Sequence, residues 1–296
     1  MQIAPFSSQS LWRIGMVGLC IVIAMAASSP LLRAADGSLI MGVFPRYNAT
    51  ETTTRYTPIA EYLGHQLHRK VVLVTSKDFQ SFWRGIEERR YDIVQYNQYH
   101  YIRSAKAYQV IAHNKEFGKN TMAGALYVRK DSGITSLAQL RGRTVMFGGG
   151  EDAMISYIAP VYMMLQAGLK KDEFKSLFAV TPINSVLGVY HKQADAAGSA
   201  DNAVGQPVIQ NAVNTDELTA LAVSEQLLQL PWSVKRTMPA RLRETIQSSL
   251  VDLENSEAGR SVLKTALLTG IGKADDKDYE PHRKMVRAVM GNAFTE

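Results

Sequence analysis

Short apolar runs alternate with amphipathic stretches along most of this chain. Leu39 to Phe44 is apolar throughout and reads as a buried strand, Pro58 to Leu67 sets Ile59, Tyr62, Leu63 and Leu67 on one helical face, and Val71 to Val74 reads as a second strand. That order is a β-α-β unit. A helix is expected around Phe79 to Arg89, a strand at Ile93 to Val94, a helix from about Tyr99 to Tyr108 and a strand at Val110 to Ala112. Strands and helices in strict alternation call for a mainly parallel sheet flanked by helices.

The pattern restarts in "TMAGALYVRKDSGI", where a strand from Thr121 to Val128 ends in polar turn residues. A short helix at Leu137 to Leu140, a strand at Thr144 to Phe147, a long helix through Tyr157 to Leu169, a strand near Leu177 to Val180 and a helix at Ser185 to His191 follow. Leu218 to Val223 and Trp232 to Val234 read as strands, and the chain from Pro239 onward as a helical tail. No repeat at a solenoid period and no low-complexity linker interrupts the series. The expected class is therefore α/β with two lobes joined by crossing strands: residues 35–125 and 232–296 in the first lobe, residues 126–231 in the second.

The first 34 residues do not belong to that pattern. Arg13 precedes an apolar run from Ile14 to Ala27, then come Ser28, Ser29, Pro30 and the small residues Ala34 and Ala35, the layout of a cleavable secretory signal. Export to the periplasm is expected, with a mature chain beginning near Ala35 or Asp36. The single cysteine, Cys20, lies inside the apolar run, so the mature chain has no thiol for a disulfide, a nucleophile or a metal. Lipidation at Cys20 is disfavoured by Leu19, where a small residue is wanted. The formal charge of +6 falls to +4 once Arg13 and Arg33 are removed. Basic residues such as those of "RGIEERR" are interleaved with acidic ones, so nucleic acid is not an expected partner.

Several segments resemble the phosphate, phosphite and phosphonate solute-binding proteins of ABC transporters, the PhnD-like family of the type II periplasmic binding fold. They are "MGVFP", "YTPIAEYLGHQL", "YDIVQYNQYHYI", "YVRKDSGITSLAQLRGRTVMFG", "MLQAGL", "KQADAAGSAD" and the tail ending "DYEPHRKMVRAV", which together run from about Leu39 to Val289. The resemblance implies two lobes that close on a small-molecule ligand. It implies an inner-membrane partner, either an ABC permease or a sensor kinase, and a monomer without a cofactor or metal. In such folds ligands lie beyond the carboxyl ends of strands, near helix N-termini. Three loops take that position: Pro45 to Thr54, Gln95 to Tyr101, and Gly148 to Tyr157.

The candidate ligand-binding residues come from those loops and their counterparts in the second lobe. Arg46 and Tyr47 follow the first strand, where an arginine either clamps an anion or stands as an exposed loop charge. Tyr96, Asn97, Gln98, Tyr99 and His100 replace the small residues usual in the family, Tyr101 matches the family's tyrosine, and the tyrosine rings suit a ring or a quaternary ammonium. In "GGGEDAMISY" the family's neutral hydroxyl donors give way to Glu151 and Asp152, leaving Ser156 and Tyr157 nearby. Asp152 either faces the cleft, where it repels a dianion, or caps its helix. Asn184 in "TPINSVL" and Asp201 after "DAAGSA" complete the set. The ligand is therefore expected to be phosphonate-like or phosphate-like by resemblance, or a compound with a cationic or ring portion.

An enzyme is the rival class. Neither a G-x-S-x-G elbow nor an HExxH motif occurs, and the six histidines lack metal spacing. A second rival is an envelope interaction protein that keeps the fold without binding a solute.

Overall fold

The computed structural model describes residues 37–291, so the expected signal segment and Cys20 lie outside the described residues. In chain order the first part runs β1 (Leu39–Val43), α1 (Ala49–Leu67), β2 (Val71–Val74), α2 (Phe79–Glu87), β3 (Ile93–Gln95), α3 (Gln98–Ser104) and β4 (Tyr108–Lys115). Next come β5 (Thr121–Met122), β6 (Gly124–Arg129), β7 (Thr144–Gly148), α4 (Ala159–Gln166), β8 (Lys175–Ala179), α5 (Pro182–Tyr190), β9 (Ala196–Ala200), α6 (Pro207–Gln210) and β10 (Leu218–Val223). The chain ends with β11 (Leu227–Leu228), β12 (Pro231–Lys235), α7 (Ala240–Val251), α8 (Glu257–Thr265), β13 (Gly270–Lys273) and α9 (Glu280–Met290).

These elements form two principal sheets, ordered β13-β4-β12-β3-β1-β2 and β10-β6-β9-β7-β8, and a two-stranded ribbon of β11 and β5 between them in the chain. The two-lobe α/β architecture follows the alternation of the sequence, but the sheets are mixed. β1 pairs parallel with β2 and β3, and β7 with β8 and β9. β12 enters its sheet antiparallel to β3 and β4, while β6 runs antiparallel to β9 and β10. The reason is connectivity: β4, β5 and β6 carry the chain from one sheet to the other, β10, β11 and β12 bring it back, and a returning strand runs in reverse. The tail also contains β13, antiparallel to β4, where only helices were expected.

Side-chain burial explains how the layers stack. On one face of the first sheet Val43, Ile93, Trp232 and Val234 pack on Tyr56, Ile59 and Leu63 of α1 and on Ile246 and Leu250 of α7. The apolar cluster on the opposite face is continuous across both lobes, joining Phe44, Val94 and Tyr96 to Phe147, Tyr157 and Met164 and to Met285, Val286 and Val289 of α9. A third cluster closes the other face of the second sheet, with Tyr127, Val186 and Ala197. α9 thus bridges the lobes, and its Lys284 ammonium lies 5.7 Å above the Tyr162 ring of α4.

The crossover ribbon is held from the first lobe. The Leu228 carbonyl accepts hydrogen bonds from Gln98 Nε2 and from the His282 imidazole, both at 3.1 Å, and the Gln229 carbonyl accepts from the Tyr279 hydroxyl at 3.0 Å. Among the described residues no helix is long and apolar enough to cross a membrane.

Candidate functional site

The loops that leave β3 and β7 meet between the lobes. Asn97 caps α3, its side-chain oxygen accepting from the His100 amide at 2.9 Å. This cap turns the Asn97 amino group outward, where Nδ2 donates to the Asp152 carbonyl of the other lobe at 3.1 Å. One helical turn on, His100 Nε2 stands 3.4 Å from Asp152 Oδ2. Asp152 therefore does not cap the helix that follows it. The π-helical turn Met154–Ile158 that leads into α4 begins after Ala153 without a side-chain cap.

Electrostatics suit that pairing. Burial raises the Asp152 carboxyl, but the hydrogen bond and charge of His100, together with Arg103, outweigh it and hold the group below the usual carboxylate range. His100 is buried and surrounded by rings: Phe79 is stacked at 6.2 Å and 13°, Trp83 lies at 5.4 Å, and Tyr99 meets it edge-on at 5.6 Å. The Arg103 guanidinium covers the outer side of this group, 4.2 Å above Trp83 and 5.6 Å above Tyr99. Among the described residues His100 Nδ1 has no hydrogen-bond partner. The result is an aromatic wall beside a carboxylate whose side chain is about one-third exposed.

Other expected residues are placed differently. Tyr96 is fully buried, its hydroxyl 3.0 Å from Ser104 Oγ, and Tyr101 is fully buried with its hydroxyl on Asp276 and its ring edge-on to Tyr279. All these hydrogen-bond and ring partners are in the first lobe, so both tyrosines are core residues of the apolar cluster that spans the lobes and present no accessible surface to a solute. Burial of the Tyr96 and Tyr101 hydroxyls raises both above the ordinary phenol range. Ser156 spends its hydroxyl on the Gly148 carbonyl at 2.5 Å. Tyr157 packs edge-on against Phe147, and burial pushes its phenol up to about 12.

Arg46 is committed too. Its Nη1 lies 2.9 Å from Glu116, a buried carboxylate on the turn after β4, and Glu116 also accepts from Asn114, whose side-chain oxygen takes the Trp232 indole proton at 2.8 Å. This chain of contacts ties the loop after β1 to β4 and β12. The Glu116 charge raises the Arg46 guanidinium further above its already high range, so Arg46 stays charged and largely neutralised. Tyr47 lies under the guanidinium of Arg55 at 4.2 Å. Asn184 is exposed in the first turn of α5, which Thr181 caps. Asp201 sits at the crossover, accepting from Gln226 Nε2 at 3.2 Å.

The geometry brings together Asn97, Tyr99 and Asp152, and adds His100, Trp83 and Phe79, which the expected set lacked. The spacing Asn97-x-x-His100 held the signal for one of them, because a capping side chain fixes the residue three places on. No group of acidic and histidine side chains suited to a metal occurs among the described residues.

Comparison with known proteins agrees with this architecture. A PhnD1 from Prochlorococcus marinus in complex with methylphosphonate superposes with a TM-score of 0.71 at 17% identity, covering 86% of this chain and 99% of its own. A Xanthomonas citri protein bound to ATP gives 0.74 at 15% identity, with 86% and 97% covered. A binding protein component of an ABC phosphonate transporter from Pseudomonas aeruginosa gives 0.69 at 16%, with 86% of each chain covered. At such identities the superpositions establish the fold. The family model for ABC transporter phosphonate periplasmic substrate-binding proteins matches residues 41–279, so the chain belongs to that family of solute-binding proteins.

Proposed function

We propose that this protein captures a small phosphonate-class solute bearing a positively charged or ring portion, and presents it to an ABC permease. Family membership implies a periplasmic location, a small-molecule ligand and a permease partner. The observation that carries the finer reading is the Asp152 carboxylate, held toward the first lobe by His100 beside the rings of Tyr99 and Trp83. A carboxylate in a partly desolvated cleft repels a bare dianion and attracts an amine, and aromatic faces add to that attraction. Arg46, neutralised by Glu116, offers little counter-charge. The contacts proposed for the solute are Asn97, Tyr99 and Asp152 from the interlobe loops, with Tyr47, Asn184 and Asp201 at its margins. The same reading includes export through the N-terminal signal, a monomeric state, and binding without chemical turnover. A membrane sensor kinase would read the same closed form.

Calorimetry against phosphate, phosphite, methylphosphonate and aminoethylphosphonate tests the specificity. The amine-bearing compound should bind at least tenfold more tightly than methylphosphonate, and Asp152→Asn should remove most of that preference. Equal binding of methylphosphonate and aminoethylphosphonate by the unaltered protein would show that the carboxylate does not select the ligand.

A further inference from the structure

The far end of α3 and the start of α9 enclose an open depression of about 520 Å³, which shares Arg103 with the aromatic group beside Asp152 but is otherwise lined by residues outside the interlobe loops. Its wall carries Arg103, Lys106, Arg236, Arg283 and Arg287 against two carboxylates, Asp276 and Glu280. Both acids are engaged. Arg283 donates through Nη2 to Asp276 at 2.5 Å and through Nη1 to Glu280 at 2.7 Å, Arg287 lies 3.8 Å from Glu280, and the Tyr101 hydroxyl also rests on Asp276. Arg283, with a side chain only 9% exposed, is thereby fixed as a floor. Arg236 anchors Nε on the Ala105 carbonyl at 2.6 Å, which orients its fork; its charge also acts on Asp276, but its two terminal nitrogens make no hydrogen bond among the described residues. Lys106 is exposed and also lacks one.

Five cations against two carboxylates leave a formal charge of +3 around a concave space. Concavity focuses the field of like charges, and guanidinium forks match the oxygens of a phosphate group. We propose that this depression binds a multiply charged phosphate group, independently of the solute held between the lobes. Two sources supply that chemistry: a free polyphosphate anion, or the headgroups of an anionic membrane at which the protein meets its permease.

Calorimetry with inorganic tripolyphosphate at low ionic strength tests the site. The unaltered protein should bind, and Lys106→Glu with Arg236→Glu should weaken binding at least tenfold; the milder Lys106→Ala with Arg236→Ala should weaken it about threefold or more. A control pair on the other sheet's side, Lys171→Glu with Lys175→Glu, makes the same charge change and should alter affinity less than threefold. Asp152→Asn should leave tripolyphosphate binding intact. No binding by the unaltered protein, equal loss in the control pair, or loss in Asp152→Asn would overturn the proposal; the last would move the anion to the interlobe loops. Co-sedimentation with vesicles of phosphatidylglycerol and phosphatidylcholine separates the sources. Vesicle binding that the Lys106 and Arg236 reversals abolish assigns the headgroup, and tripolyphosphate binding without vesicle binding assigns the free anion.

Discussion

At the scale of single residues, the arginine after β1 changes its meaning once its partner is known. Arg46 reads from sequence either as a clamp for an anion or as an exposed loop charge, yet its guanidinium is paired with buried Glu116 at 2.9 Å. Removing one member of a buried pair leaves the other charge uncompensated. Because Arg46 is partly exposed and water can reach Glu116 when it is gone, Arg46→Ala is expected to cost about 1–2 kcal/mol of stability rather than the larger value of a fully buried pair. Glu116→Gln in the same chain should restore part of that loss, so urea unfolding of the two single variants and the double variant gives the coupling. Additive losses would mean that the pair does not hold the loop. The sequence could not show this pairing, since the two residues are 70 positions apart and meet only when β1 and β4 enter one sheet. For the same reason Tyr96 and Tyr101 looked like cleft residues: tyrosines in a cleft loop and tyrosines in a lobe core have the same local pattern.

Elements were legible wherever local pattern decides them. β2 spans Val71–Val74 as the apolar run indicates, and the short helix at Leu137–Leu140 is present as a 3-10 turn. Pro58 has the sequence character of a helix start, whereas α1 begins at Ala49 and runs through that proline. The added turns contain Thr52, Thr53 and Thr54, poor helix formers in isolation. The Asn48 cap supports them, and the Thr53 and Thr54 hydroxyls are satisfied by bonds back to the Ala49 and Thr50 carbonyls at 2.8 and 3.0 Å. β13 was missed because "GIGK" is too short and glycine-rich to signal a strand, and only its pairing with β4 makes it one. At the end of β7, a Cβ on Gly148 would lie 2.1 Å from Pro182 Cα, a backbone atom that cannot swing away. Gly148→Ala should therefore separate β7 from α5 and cost about 1–3 kcal/mol by overpacking, visible as a lower thermal midpoint; an unchanged midpoint would show that α5 shifts freely.

The contact between α9 and the crossover ribbon sets a pH dependence. Burial, with help from the Arg283 charge and against the Leu228 hydrogen bond, pushes the His282 imidazole down to about 4 from 6.5. The folded protein keeps this ring neutral while the unfolded chain takes up a proton below pH 6.5. Stability should thus fall as the pH drops from about 6.5 to about 4, by up to about 1.4 kcal/mol per pH unit from this group, and the contribution should level off below that. His282→Gln should show a flatter decline over that window in urea midpoints taken at pH 7, 5.5 and 4.5. Parallel declines in the two proteins would place the acid sensitivity elsewhere.

For the whole molecule, closure is the expected motion, because the chain crosses twice between two large sheets through a short two-stranded ribbon, with α9 packed across both lobes. Small-angle scattering should show a smaller radius of gyration at ligand saturation, and unchanged dimensions would argue against a clamp. Two indole rings remain in the chain after the expected signal is removed, and they differ in surroundings. Trp232 is sealed in the first lobe with its proton on Asn114, whereas Trp83 lies between the Arg103 cation and the imidazole that faces the second lobe. Both neighbours belong to the first lobe and the second lobe reaches them through Asp152, so a movement that changes the Asp152–His100 contact is expected to alter Trp83 emission while Trp232 serves as an internal reference. Trp83 emission is therefore the expected optical gauge of closure, readable in solution without any attached label.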